Sequence, residues 1–451
     1  VVRNAQLLLE GGLVRGGIAI SNGKICAIAT DPHLPDGLEM IDAGSKILMP
    51  GLIDAHAHIH DMNMQGHEDF TTGSRAAAAG GVTTFIDMPL TSQVDSLDAL
   101  QNKIKKGEEM SIVDFGIYAG MLNENNYMRI AQFIAQGVAA FKSFTSNPFY
   151  VNAGVITRCL SEVSEHGGIM TIHSEDQGIL DEFAKDMDGE WDAPISHSLA
   201  RPVLAEQIAI RQNIAIAEKT GGHLHIAHVS TKDGLHEIER GRLQGVTVTT
   251  EACPHHLVFY RDDMNRLGPR SKMNPPLRAK EDRAALWSGL LRGSIQIVVS
   301  DHAPCPIEEK QKGEEDIRQA WSGVDGIQMI SRVLLSTGIN AGRMSFSRLL
   351  QVTALNPAKI FGLYPRKGTL RIGSDADLVL VDPTKEEKIT SEMMFSKSGW
   401  TLYEGLKMIG APVMTFVRGV KVFEEDHTTV KPGHGEFQPM GISREMMETD
   451  Q

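Results

Sequence analysis

Cysteine is scarce: the 451 residues hold four, Cys26, Cys159, Cys253 and Cys305, scattered and without a CxxC pair. That pattern points to reduced thiols rather than a disulfide frame or a sulfur-ligated zinc site. No apolar run exceeds strand length, so none is long enough to cross a bilayer. The first residues lack a basic-then-apolar leader pattern, which sets the expectation of a cytoplasmic protein. Positive charge is also short, with 44 Lys and Arg against 57 Asp and Glu and a formal net charge of −13. This balance argues against nucleic acid or an anionic membrane as partner, although a local arginine can still receive an anionic substrate. No Gly-rich phosphate turn and no short-period repeat is present, which argues against a doubly wound nucleotide-binding sheet and a solenoid. The 21 methionines read as core filler.

What is present is alternation. Short apolar, β-branched runs at 52–56, 83–88, 114–119, 138–144, 169–173, 223–229, 246–252 and 295–301 read as strands. Helical periodicity lies between them, as at 98–106, 128–135, 155–166, 204–220 and 282–291. Eight strands, each followed by a helix-length crossover, predict an α/β fold of the (β/α)8 TIM-barrel type. The two ends read differently, with short strands at 2–9, 17–21, 24–29 and 40–42 and again at 378–381 and 413–422. These predict a small β-sandwich domain built from 1–49 and 365–425, with the barrel, 50–364, inserted between its halves. From residue 426 to 451 the chain is polar and contains Gly and Pro, the composition of a tail that packs loosely or joins an interface.

The strand ends carry the chemistry. His56 and His58, in Asp54-Ala55-His56-Ala57-His58, alternate so that both imidazoles point the same way. Lys142, His173, His228 and Asp301 stand at the ends of the fourth, fifth, sixth and eighth strand candidates. Barrel chemistry gathers at the C-terminal strand ends, so all six residues can share one mouth. Four histidines and an aspartate suit two divalent cations, zinc first, with manganese, cobalt, iron and nickel also accepted by such ligands. Lys142 has two readings here. It either snorkels its head to the rim, or, desolvated and deprotonated, adds carbon dioxide to become a carbamate that supplies the missing bridging oxygen.

Together these residues resemble the cyclic amidohydrolases, the group of allantoinase, dihydroorotase and hydantoinase. The likeness covers most of the chain: Pro50-Gly51-Leu52-Ile53-Asp54-Ala55-His56-Ala57-His58, Gly73-Ser74-Arg75, Gly80-Gly81-Val82-Thr83-Thr84, Phe141-Lys142-Ser143-Phe144, His173-Ser174-Glu175 and His228-Val229-Ser230. Cys253-Pro254-His255-His256, Asn274-Pro275-Pro276-Leu277-Arg278, Ser300-Asp301-His302-Ala303-Pro304 and Gly373-Ser374-Asp375-Ala376-Asp377 complete it. The resemblance implies His56, His58 and Asp301 on one metal, His173 and His228 on the other, and carboxylated Lys142 between them. It also implies a homo-dimer or homo-tetramer acting on a small cyclic ureide. Non-catalytic relatives lose ligands, whereas here every ligand position is filled.

The implied reaction is attack of a bridging hydroxide on a ring amide, with Asp301 as catalytic proton shuttle. His302 is either a support or substrate contact or an ordinary structural histidine, and Cys305 reads as structural. Dihydroorotases place an arginine two residues after the second histidine, where this chain has His60, and an asparagine where it has Leu90. Hydantoinases carry a tyrosine soon after the bridging lysine, where this chain has Thr145-Ser146-Asn147-Pro148. Asp87-Met88-Pro89-Leu90, Asp301-His302-Ala303-Pro304-Cys305 and Ala320-Trp321-Ser322-Gly323-Val324 resemble allantoinases, so ring-opening of allantoin to allantoate leads. Asp61-Met62-Asn63-Met64-Gln65 departs from that pattern, and Pro254-His255-His256 and Lys272-Met273-Asn274-Pro275-Pro276 lean toward dihydroorotases; dihydroorotase and hydantoinase are the alternatives. Asn147, Asn274 and Ser322 are the expected substrate contacts, since a neutral ring of N–H and C=O groups suits amides and hydroxyls. The segment 306–319 reads as either a mobile lid or a solvated loop.

Overall fold

The computed structural model describes residues 1–59, 64, 66–90, 93–187 and 189–441. His60, Asp61, Met62, Asn63 and Gln65, on which part of the substrate argument turned, lie outside the described residues. Eight parallel strands form the centre: β1 (Leu52–Ala57), β2 (Val82–Asp87), β3 (Asp114–Ile117), β4 (Ala140–Phe144), β5 (Ile169–His173), β6 (His223–Ile226), β7 (Val248–Ala252) and β8 (Ile297–Val298). They pair in chain order as a three-stranded sheet, β1 to β3, and a five-stranded sheet, β4 to β8. Isolated parallel bridges, Ala119 to Phe141 and Ala57 to His302, join the two sheets at both edges. Every residue of β1, β2, β3, β5 and β7 is buried, as expected of strands covered on both faces.

The crossovers follow their sequence signals. In the helix Ala153–His166, Ile156, Cys159, Leu160 and Val163 recur at helical spacing and are the buried face. The Asn152 side chain caps it by accepting from the Val155 N–H, and Gly167, at φ +73°, ends it in the left-handed region.

Two strand ends differ from expectation. The sixth and eighth strands stop at Ile226 and Val298, so His228 and Asp301 lie beyond them. Both adopt positive φ, +30° and +47°. Their amides have been taken by other partners: the His228 N–H donates to Glu251 and the Asp301 N–H to the His56 carbonyl, 3.1 and 2.9 Å away. The ladder pattern is broken there, and both side chains turn toward the mouth.

The strands of both termini make one nine-stranded sheet. Ile47–Pro50, which leads into β1, pairs in parallel with Val2–Leu9 and antiparallel with Leu378–Lys388, so N- and C-terminal halves meet across it. Val2, Leu7, Ile18, Ile25, Leu48, Leu378 and Phe416 form a core separate from that of the parallel strands. The run 413–422, expected as one strand, is a hairpin: Lys407–Val417 turns at Arg418 and Gly419, both at positive φ, into Val420–Glu424. Up to residue 441 the tail packs more tightly than its composition suggests; 442–451 lie outside the described residues. Gly433 and Gly435 donate to the Ser111 carbonyl, Gln438 to that of Phe115 and Met440 to that of Gly137.

A buried charge cluster ties the terminal sheet to β3. Lys367 Nζ lies 2.7 Å from Asp114 Oδ2 and 3.3 Å from Asp375 Oδ2, and also bonds Asp377. The lysine and Asp114 are fully buried. Arg418 still pairs with Asp114 and Lys24 with Asp375 when the ammonium is removed, but three buried carboxylates lose the cation they share, so Lys367→Met is expected to cost about 3 kcal/mol. An unfolding free energy from urea titration within about 0.5 kcal/mol of wild type would show that the cluster does not hold the two parts together.

Candidate metal centre

His56, His58 and Asp301 come together at the C-terminal end of β1, with their ligand-type atoms all within 4.8 Å of one another. The hydrogen bonds fix which atoms face inward. His56 Nδ1–H donates to Glu251, and His58 Nδ1–H donates to the Met88 carbonyl at 2.9 Å. Each ring therefore carries its proton on Nδ1 and a lone pair on Nε2. Both Nε2 atoms point at the same oxygen, Asp301 Oδ1, each 3.3 Å away. Three electron-pair donors with no proton between them repel, and a cation at their centre turns that repulsion into coordination.

The second pair is His173 and His228. His173 Nε2–H donates to Glu175 at 2.8 Å, which turns Nδ1 toward His228 Nε2 at 3.1 Å. Burial lowers the pKa of His56, His173 and His228, so these imidazoles are neutral and have lone pairs to give. Lys142, on β4, is fully buried and its Nζ has no hydrogen-bond partner. Burial pulls its ammonium down to about 8, against the opposing pull of Glu251, Asp301 and Cys253. The head does not snorkel to the rim. It sits 4.8 Å over the Phe144 ring, on the wall of the same cavity. A buried, unpartnered amine beside two lone-pair clusters fits two cations and an amine converted to an anionic bridge.

Sequence reading missed the carboxylates behind these ligands. Glu251, on β7, accepts from His56 Nδ1, from His225 Nε2 at 3.0 Å and from the His228 backbone N–H at 3.1 Å. Against its burial, His56 and His225 hold it well below the usual carboxylate range. One charge thus orients a side chain of one ligand cluster and the backbone of the other. A glutamate directly after the β-branched run Val246-Thr247-Val248-Thr249-Thr250 was the available signal. Glu175 plays the matching part for His173. Arg201 holds it through Nε at 3.1 Å and through Nη2, with Arg278 Nη2 3.7 Å away.

The cavity has a volume of about 370 Å³, and all nine sequence-proposed residues line it: His56, His58, Lys142, Asn147, His173, His228, Asn274, Asp301 and Ser322. Asn274 Oδ1 accepts from His197 Nε2 at 3.0 Å, leaving its amide nitrogen to the cavity. The segment 306–319 is a pinned wall. Lys272 Nζ donates to the Arg318 and Ala320 carbonyls at 2.8 and 2.7 Å, and Lys310 Nζ to those of Lys272 and Trp321 at 2.7 and 2.8 Å. His302 is structural: Nε2–H donates to Glu68 at 3.0 Å and Nδ1 accepts from the Gly326 N–H at 3.1 Å. Cys305 is buried, its thiol pushed up to about 12 chiefly by that burial.

The Glu251 geometry yields a test. Glu251→Ala is expected to weaken zinc affinity about 10–100-fold, because both ligand clusters lose an orienting partner. Competition against a zinc chelator measures it, and an affinity equal to wild type would remove Glu251 from the site.

Comparisons with known proteins give the family. The model described as the amidohydrolase family matches residues 47–422. An L-hydantoinase of Paenarthrobacter aurescens is 34% identical over 445 residues, covering 97% of each chain. An allantoinase of Solibacter usitatus is 34% identical over 447 residues (97% of this chain, 96% of the other), and a dihydroorotase of Methanosarcina acetivorans is 34% identical over 448 (97% and 94%). The solved L-hydantoinase (dihydropyrimidinase) from Arthrobacter aurescens superposes with a TM-score of 0.93 at 33% identity, covering 97% of this chain and 98% of that one. Family and neighbour imply a TIM-barrel-type α/β fold with a β-rich domain. The chain belongs to the amidohydrolase family, as a hydrolytic enzyme of its allantoinase, hydantoinase and dihydroorotase group.

Proposed function

We propose that the enzyme opens a neutral cyclic ureide, allantoin first, at a binuclear metal centre bridged by carboxylated Lys142. The observation that carries the substrate reading is the state of the cations around the cavity. Lys272 is engaged by two carbonyls, and Arg318 is held by Asp316 at 2.7 Å and stacked on Trp191. Arg278, the other candidate for a substrate carboxylate, is buried and donates to Ser230 at 3.0 Å and to the Arg201 carbonyl. Among the described residues no lining arginine or lysine is left for such a carboxylate except Lys142. The remaining polar donors of the lining are neutral, Asn147, Asn274 and Ser322 together with Ser146, Gln319 and Trp321. This favours allantoin over dihydroorotate.

His56, His58 and Asp301 would hold one ion, His173 and His228 the other, and the Lys142 carbamate both. Two divalent ions supply a water of lowered pKa and a polarised carbonyl. The protein's own part is positioning and proton transfer. Asn274 and Ser322 orient the ring, and Asp301 takes the attacking water's proton and delivers it to the departing nitrogen. The product is an opened ring with a new carboxylate. The same reading takes the eight strands as a closed (β/α)8 barrel over 50–364, supported by the bridges at both sheet edges, beside a β-domain of 1–49 and 365–425 whose strands form one nine-stranded sheet in place of the expected sandwich.

A second reading has its own support. Leu90, Phe144, Phe149 and Trp321 give the cavity an apolar side, which suits a hydantoin with an apolar substituent. Protein loaded with zinc or manganese in bicarbonate separates the readings when offered allantoin, dihydroorotate, hydantoin and benzylhydantoin. Allantoin is expected to open at least about 100-fold faster than the others, about 2.7 kcal/mol of discrimination, with turnover lost in Lys142→Ala. Faster benzylhydantoin turnover selects the second reading, and fast dihydroorotate turnover overturns the argument from occupied cations.

A further inference from the structure

The turn after β7 carries a second set of metal-type donors that the proposed reaction does not use. Cys253 directly follows the strand, and His255 and His256 lie in the short helix Pro254–Val258. All three are buried, none more than 3% exposed. The cysteine sulfur and one nitrogen from each ring lie within 4.8 Å of one another.

The hydrogen bonds around this turn are incomplete in a telling way. His256 Nε2–H donates to the Pro275 carbonyl at 3.2 Å, which leaves the lone pair on Nδ1. That Nδ1 has no partner, and neither nitrogen of His255 has one. An unsatisfied buried polar group costs about 1–3 kcal/mol, and here three such nitrogens lie on two adjacent rings, one nitrogen of each ring within 4.8 Å of the sulfur. Packing alone gives them nothing to bind. The electrostatic surroundings are acidic: Asp301, Glu251 and Asp54 all act on Cys253. Carboxylates that oppose a thiolate in isolation attract a cation that the thiolate could ligate.

We propose that Cys253, His255 and His256 bind a further cation of the zinc class, through one sulfur and two imidazole nitrogens. The thiol gives up its proton to solvent on binding, and nothing is oxidised or reduced. Three protein donors leave a fourth tetrahedral position for another ligand. The site differs in donor chemistry from the centre of His56, His58, Lys142, His173, His228 and Asp301, which contains no sulfur. It departs from the expectation, drawn from cysteine spacing, of no sulfur-ligated zinc site.

That difference supplies the test. Full-length protein, stripped with chelator and reloaded with cobalt(II), is expected to show the near-ultraviolet charge-transfer band of a thiolate–cobalt bond. The band should persist in Cys26→Ser, which removes the one exposed cysteine, and vanish in Cys253→Ser and in His255→Gln. His255→Gln keeps the thiol, so it separates loss of the site from loss of the sulfur. Metal content should fall by one ion per chain in both variants, with folding checked by circular dichroism. Absence of the band from wild type, or its survival in a folded Cys253→Ser protein, would overturn the proposal. Neither readout involves turnover, so the result stands apart from the choice of substrate.

Discussion

Glu251 is the interaction on which the rest of the site depends. It is a fully buried carboxylate that accepts from the His56 ring, the His225 ring and the His228 backbone. A lone charge in such a place is costly, and three donors make it tolerable. In return it fixes the tautomer of His56 and holds His228 in a left-handed backbone that its own strand would not impose. The inward-facing lone pairs follow from these fixed protons, and the fit to cations follows from the lone pairs. The same logic runs outward through Glu175, where Arg201 carries the charge balance that sets His173. The ligands are placed by buried ion pairs and not by the strands alone.

Much of this was legible in the sequence, for physical reasons that also mark the limit. His56, His58, Lys142 and His173 sit on or just past strands whose period of two and continuous burial are plain in the residue order. His228 and Asp301 were legible as residues but not as geometry, because both lie past their strand ends and their φ is set by bonds to Glu251 and His56. Glu251 was missed because its partner His56 is 195 residues away. The turn at Arg418 carried no local signal beyond Gly419, so the C-terminal hairpin read as a single strand. The wall at 306–319 looked like a loop since its composition is polar; what pins it are Lys272 and Lys310, whose partners are backbone carbonyls that no side-chain pattern reveals.

Those two lysines also bear on specificity. A cation in a substrate cavity is normally read as an anion receptor. Here Lys272 is spent on the fold of the wall, and Arg318 on Asp316 and Trp191. The cavity is left with amides, a hydroxyl and an aromatic side, a combination that favours a neutral ring. Relatives at nearly equal identity include an L-hydantoinase, an allantoinase and a dihydroorotase, so overall similarity does not choose among substrates. The proposed reading rests on the state of individual charges instead.

The central claim is that Lys142 is an amine waiting to become an anion between two ligand clusters. Carbon-13 NMR of protein reconstituted with zinc and labelled bicarbonate tests it directly. The account predicts one carbamate resonance that persists in wild type and is absent from folded Lys142→Met. A fully active, zinc-loaded enzyme without that resonance would contradict it.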